Sequence, residues 1–165
     1  MTETAYHTTF GSLDSYQKGE IEITSGSARH YAFSNIFEVA SRSACYEKVV
    51  VGKNLEYVIE ALRTEGESPW FACAHDEFVI LMDGEVQIDF IKLDTPPAAA
   101  GRGTVHAGDN PAGRSMGHAV LRKGHQALLP AGCAYRFTAR KPGVALVQTV
   151  LGELSVEKWA DICLH

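Results

Sequence analysis

At 165 residues, with 45% hydrophobic and 21% charged side chains, the chain is long enough for one domain with its own core and too apolar to remain unfolded. A formal net charge of −5 without a Lys/Arg cluster argues against nucleic acid and anionic membrane surfaces as partners, because phosphate groups need a basic face. No run approaches the roughly 18 apolar residues of a membrane span, and Met1-Thr2-Glu3-Thr4-Ala5-Tyr6 lacks a basic start followed by an apolar stretch, so the expected location is the cytoplasm.

Residues 1–30 are polar and turn-rich and read as an N-terminal arm, with one alternating strand, Glu20-Ile21-Glu22-Ile23-Thr24, closed by Ser25-Gly26-Ser27. The domain proper is expected over 31–165. Between 31 and 44 the apolar residues Tyr31, Phe33, Ile36, Phe37, Val39 and Ala40 follow no clear period, which leaves helix and extended segment both open. Glu47-Lys48-Val49-Val50-Val51 predicts a buried strand, with turn chemistry at Gly52-Lys53-Asn54. Leu55, Val58, Ile59 and Leu62 fit helical spacing, while the neighbouring strands favour an extended run. Residues 65–69 predict a loop. Phe78-Val79-Ile80-Leu81-Met82, then Asp83-Gly84, then Val86, Ile88, Phe90 and Leu93 predict a hairpin, because glycine tolerates the positive φ of a tight turn.

The stretch 94–114, with Pro96-Pro97 and many small residues, has little to bury and is expected to be irregular, either a flexible insertion or, by preference, a segment ordered by a partner; His106 within it reads as a solvated residue. Residues 119–129 predict two short strands around a turn. Pro130-Ala131-Gly132 turns again, and 135–139 and 144–150 read as strands. Ser155 is placed to cap a short helix over 156–164, with Trp159 and Ile162 on its apolar face. Many short strands separated by Gly/Pro turns indicate an all-β, antiparallel double-sheet barrel. Cys45, Cys73, Cys133 and Cys163 show no Cys-x-x-Cys spacing and are expected as free, buried thiols. Residues 108–113 lack the Gly-Lys-Ser/Thr ending of a phosphate loop, and no nucleophile elbow is present.

Two glycine-anchored segments carry the functional information. The first is Phe71-Ala72-Cys73-Ala74-His75-Asp76-Glu77 with Gly84; the second runs from Gly124 through Pro130 and Gly132 to Tyr135. Together they resemble the two motifs of the cupin superfamily, which implies a single double-stranded β-helix, a jelly-roll barrel, to which the N-terminal arm and short C-terminal helix read above are added. In metal-binding cupins the first motif supplies His-x-His and a Glu, and the second supplies another His after its Pro-x-Gly turn. The frame fits this chain at Glu77, Gly84, Gly124, Pro130 and Gly132. The histidine positions fall instead on Phe71, Cys73 and Tyr135.

A catalytic metal needs three or four lone-pair donors at one centre, and phenylalanine has none. The expectation is therefore no metal and no catalytic residue in this chain. Residues two apart on a strand share a face, so an improvised set of Cys73, His75, Glu77 and Tyr135 remains geometrically open. The plainer reading makes His75 a polar partner for Glu77 or a group at the barrel mouth. Trp70, Phe71, His75, Glu77, Tyr135 and Phe137 are the candidates for a barrel pocket or an interface. Trp70 and Trp159 read first as packing anchors, with a subunit interface as the other possibility.

At a finer level, residues 7–16, the run 47–53 and the 70–84 motif resemble the small subunit of two-component hydroquinone 1,2-dioxygenases, Fe(II) enzymes of 4-nitrophenol and 4-hydroxyacetophenone degradation. The resemblance covers most of the chain. It implies a heterotetramer of two small and two large subunits, in which the large subunit carries the iron and cleaves hydroquinone to 4-hydroxymuconic semialdehyde. Two other classes stay open. One is a stand-alone metal-binding cupin enzyme with the improvised ligand set, which metal analysis would reveal. The other is a cupin that holds an aromatic ligand between Phe71, Tyr135 and Phe137 without chemistry; co-purification of a second polypeptide would separate both from the subunit reading.

Overall fold

The computed structural model describes residues 11–14, 35–98 and 102–162. In chain order its elements are α1 (Ile36–Arg42), β1 (Lys48–Asn54), β2 (Tyr57–Glu67), β3 (Phe71–Ala72), β4 (Glu77–Asp83), β5 (Glu85–Leu93), β6 (Val105–His106), β7 (Gly113–Arg122), β8 (Gln126–Leu129), β9 (Cys133–Val150), β10 (Ser155–Val156) and α2 (Trp159–Ile162). Asn35 opens α1: its Oδ1 accepts the Phe37 and Glu38 amides at 3.0 and 3.3 Å, satisfying two N–H groups that a helix start leaves unpaired. The open choice at 31–44 thus resolves to a helix over 36–42, and Val39 packs with Val49 and Ala61 in a small cluster apart from the main core.

The long strand β9 joins two sheets. Its residues 144–148 lie between β2 and β4, while residues 133–138 lie between β5 on one side and β3 and the end of β2 on the other. One sheet therefore runs β10-β1-β2-β9-β4-β8 and the other β6-β3-β9-β5-β7. Alternation along β4 turns Glu77, Val79 and Leu81 into the barrel and Phe78 and Ile80 outward. Phe71, Tyr135, Phe137, Leu81 and Ile88 fill the interior. The all-β, jelly-roll expectation holds. Among the described residues no helix is long and apolar enough to cross a membrane.

Several local expectations are corrected. The turn expected at 52–54 lies later, at Leu55-Glu56, because β1 absorbs a register shift between Val50 and Gly52 and continues to Asn54. Leu55 takes the left-handed φ of 59° there. Residues 65–67 are strand and not loop, since β2 carries on to pair Gly66 with Ala139 and Glu67 with Thr138. Within 94–114, β6 pairs with β3, and β7 begins at Gly113. Ser155 caps no helix: it lies in β10, paired parallel to Lys48, and among the described residues of this stretch only 159–162 are helical. Of the arm expected at 1–30, only 11–14 fall among the described residues, and the strand at 20–24 lies outside them, as do residues 31–34 and Cys163. Cys45, Cys73 and Cys133 are free thiols, with Cys45 exposed and not buried.

The turn at Gly84 is present, but it makes no hairpin. β4 pairs with β8 and β9, and β5 pairs with β7 and β9, so Gly84 is a corner at which the chain changes sheets. Its φ is 85°, and a Cβ there would lie 3.1 Å from the Cα of Gly143 and 3.5 Å from the Pro142 carbonyl oxygen. Gly84→Val is therefore expected to destabilise the barrel by about 1–3 kcal/mol through backbone strain and collision with β9. Unchanged thermal melting of that variant would show that the corner is not closed against β9.

Candidate functional site

The first motif does not lie on a single strand. β3 belongs to one sheet and β4 to the other, and residues 73–76 carry the chain between them. The crossing is pinned to the second motif, because the Gly132 amide donates to the Cys73 carbonyl at 3.0 Å and the Ala131 amide to Asp76 Oδ1 at 2.8 Å. Phe71 and Tyr135, the two ends of the expected ligand frame, are direct cross-strand partners with ring centroids 5.9 Å apart. That register supports the alignment of both motifs.

Glu77 is fully buried, and hydroxyl groups occupy both of its oxygens. Tyr135 donates to Oε2 at 2.6 Å and Thr104 to Oε1 at 2.5 Å. Burial first, then the neighbouring Glu77 charge, pushes the Tyr135 phenol well above its ordinary pKa, so it stays a donor. Thr104 was not singled out in the sequence, where it sits inside the stretch read as irregular. It reaches Glu77 because Gly103, at φ 69°, lets the segment lie against Gly152, where a Cβ would come within 2.6 Å of the Gly152 Cα.

Beside this group, the Cys73 thiol donates to the Gly103 carbonyl at 3.1 Å and lies 3.0 Å from His75 Nδ1. Burial, with the Glu77 charge second, pushes the Cys73 pKa up to about 11, so at neutral pH it is a thiol. His75 Nε2 lies 3.1 Å from the Thr149 hydroxyl. The hydrogen-bonding partners of His75 are thus Cys73 and Thr149 rather than Glu77, one of the two plainer alternatives. His106 is exposed as expected, yet its ring stacks on Phe71 at 5.6 Å.

The interior also holds an ion pair that no motif announced. Lys48 Nζ lies 3.2 Å from Glu60 Oε2, with side chains 1% and 0% exposed. Ser155 donates to Glu60 Oε1 at 2.6 Å, and the Lys48 ammonium stands 5.1 Å from the Phe71 ring centroid. Trp70 is half-buried beneath the Arg136 guanidinium, 4.6 Å away. Phe137 packs edge-on to Tyr135 at 5.5 Å and stacks with Tyr46 at 6.0 Å, so the rings named as a pocket lining lie against one another. Trp159 is half-buried and donates to Glu157 Oε1 at 3.0 Å.

Similar chains are found among solved structures. A chain in the crystal structure of hydroquinone 1,2-dioxygenase PnpCD in complex with Cd2+ and 4-hydroxybenzonitrile is 62% identical, covering 99% of this chain and 100% of that one, with a TM-score of 0.93. The chain belongs to the hydroquinone 1,2-dioxygenase family. A family member from Sphingomonas sp. TTNP3, with 4-hydroxybenzoate bound, is 50% identical over 97% of this chain and 98% of its own, with a TM-score of 0.92. A different, longer chain, in hydroquinone 1,2-dioxygenase PnpCD in complex with Fe3+, is 16% identical with a TM-score of 0.61, over 86% of this chain and 40% of that one, and shares the fold alone. No protein-family model and no curated protein sequence matches the chain.

Metal complexes of these dioxygenases raise the question whether this barrel suits an iron ion. Cys73, His75 and Glu77 do bring one donor atom each within 4.8 Å of one another, as the improvised set required. Tyr135 is hydrogen-bonded to Glu77 of this group. Each donor is already engaged by the protein, Cys73 is protonated, and the Lys48 ammonium supplies a positive charge next to Phe71. An incoming ion would have to break these bonds and displace the thiol proton, so the set as it stands is arranged for hydrogen bonding rather than for an ion. The isolated chain, purified anaerobically with Fe(II) present, is expected to carry far less than one iron or zinc per chain by elemental analysis. One tightly held ion per chain, lost in Glu77→Ala, would instead establish the improvised site.

Proposed function

We propose that this chain is the small, non-catalytic subunit of a hydroquinone 1,2-dioxygenase, assembled two plus two with a larger subunit that holds the Fe(II). In this reading the larger subunit opens the hydroquinone ring to 4-hydroxymuconic semialdehyde, and residues 31–165 form the barrel that supports it, preceded by an arm at 1–30. The observation that carries the reading is the end-to-end likeness to one chain of an enzyme whose other, longer chain has the same fold. The engaged carboxylate of Glu77 supports it, since a barrel closed by hydroxyls has no donors free to activate oxygen. Of the interface candidates, half-buried Trp70 and His75 suit a contact at the barrel mouth, while Phe71, Glu77, Tyr135 and Phe137 serve the interior. The free thiols of Cys45, Cys73 and Cys133 suit a cytoplasmic protein.

Oxygen uptake with hydroquinone and Fe(II) tests the proposal. The purified chain alone is expected to show none, and co-expression with the larger subunit is expected to give ring cleavage. Uptake by the isolated chain at a rate comparable to the two-subunit preparation would refute it.

A further inference from the structure

Toward one end of the β2-β9-β4-β8 sheet, the outward-facing residues form a largely apolar face. The register places Ile59, Gln148, Phe78 and Leu128 side by side across four strands. Ile80 lies beside this row on β4 and Tyr57 at its β2 end. Tyr57, Ile59, Phe78, Ile80 and Leu128 are 57, 43, 49, 39 and 43% exposed. At about 200 Å² for a large side chain this is on the order of 500 Å² of open apolar surface, near the upper end of what a monomer shows. It is enough for the apolar centre of an interface that buries about 800 Å² on each partner.

We propose that this face is where the larger, same-fold subunit docks, through an apolar surface of its own. The inference rests on the subunit reading and names its contact. Two ion pairs beside the face are closed within this chain, Lys53–Glu157 at 3.0 Å and Arg102–Glu56 at 3.0 Å. A charged peptide or an anionic surface would therefore find no counter-charge in the centre of the face. The other end of the same sheet is covered by α1, through Val39 on Val49 and Ala61, which shows how this sheet is closed where it is closed. In the longer chain of the PnpCD complex the shared barrel takes up 40% of the length, leaving more than half of that chain outside it. A partner of that size can cover the face and bury a rim beyond it, as an interface of about 800 Å² per side requires.

The test is co-purification with a tagged larger subunit in the two-chain preparation. Phe78→Glu and Leu128→Glu each place a carboxylate in the face, and Gln148→Glu does so without removing any apolar group. All three are expected to melt within a few degrees of the unmodified chain and to lower the recovered small subunit at least ten-fold, with hydroquinone turnover falling in parallel. Normal assembly of a folded variant would overturn the proposal while leaving the subunit reading intact. So would an isolated chain that is a dimer, is split by Phe78→Glu, and still binds the larger subunit, because the face would then belong to a second copy. Failure of the unmodified chain to assemble with any larger subunit would overturn the subunit reading itself, and this contact with it.

Discussion

Glu60→Ala is expected to cost about 3–5 kcal/mol of stability, since it leaves a charge uncompensated in the barrel interior. Lys48 and Glu60 are both sealed from water, with Nζ 3.2 Å from Oε2, and no other carboxylate lies within ion-pairing distance of Lys48 among the described residues. The same change strips the acceptor from the Ser155 hydroxyl, which donates to Glu60 at 2.6 Å and helps hold β10 on β1. At roughly 2–4 °C per kcal/mol for a chain of this size, melting should fall by about 6–20 °C. The double variant Lys48→Met/Glu60→Leu removes both charges together and is expected to recover most of the loss, because a matched apolar pair avoids desolvating two ions. A single variant that melts with the unmodified chain would mean that Lys48 reaches water or another partner in solution.

Glu77→Ala is expected to cost a similar amount, about 3–6 kcal/mol. It leaves two buried hydroxyls, those of Tyr135 and Thr104, without their acceptor, at about 1–3 kcal/mol each, and opens a cavity beneath them. Tyr135→Phe removes a single donor and leaves Glu77 held by Thr104, so a smaller loss of about 1–2 kcal/mol is expected. That order, measured by thermal or denaturant unfolding, distinguishes a hydrogen-bonded carboxylate from a metal ligand. A chelator should not change the melting of the unmodified chain. If melting falls on chelation and Glu77→Ala abolishes the response, Glu77 holds an ion and the hydroxyl account is wrong.

The sequence by itself determined the class of fold and which residue types stand at the motif positions. Those conclusions rest on local rules: period-two alternation, glycine where φ must be positive, and residue types that have no lone pair to offer. It placed Gly84 at a turn, and it assigned Phe71 and Tyr135, 64 positions apart in the chain, to two ends of one frame that proved to be cross-strand partners. Its local errors share one cause. Periodicity tells which residues are buried but not which strand each strand will pair with, so Asp83-Gly84 read as a hairpin when it is a corner between sheets. Ser155 was read as a helix cap and Val156 as helix for the same reason, since nothing local reveals that Lys48 and Val49 are waiting as their partners. The polar interior was decided by tertiary structure alone. Thr104 meets Glu77 across 27 residues and Lys48 meets Glu60 across 12, and neither pair has a spacing rule to announce it. Such contacts exist because a buried polar group must find a partner wherever the chain brings one, and only the closed barrel specifies where that is.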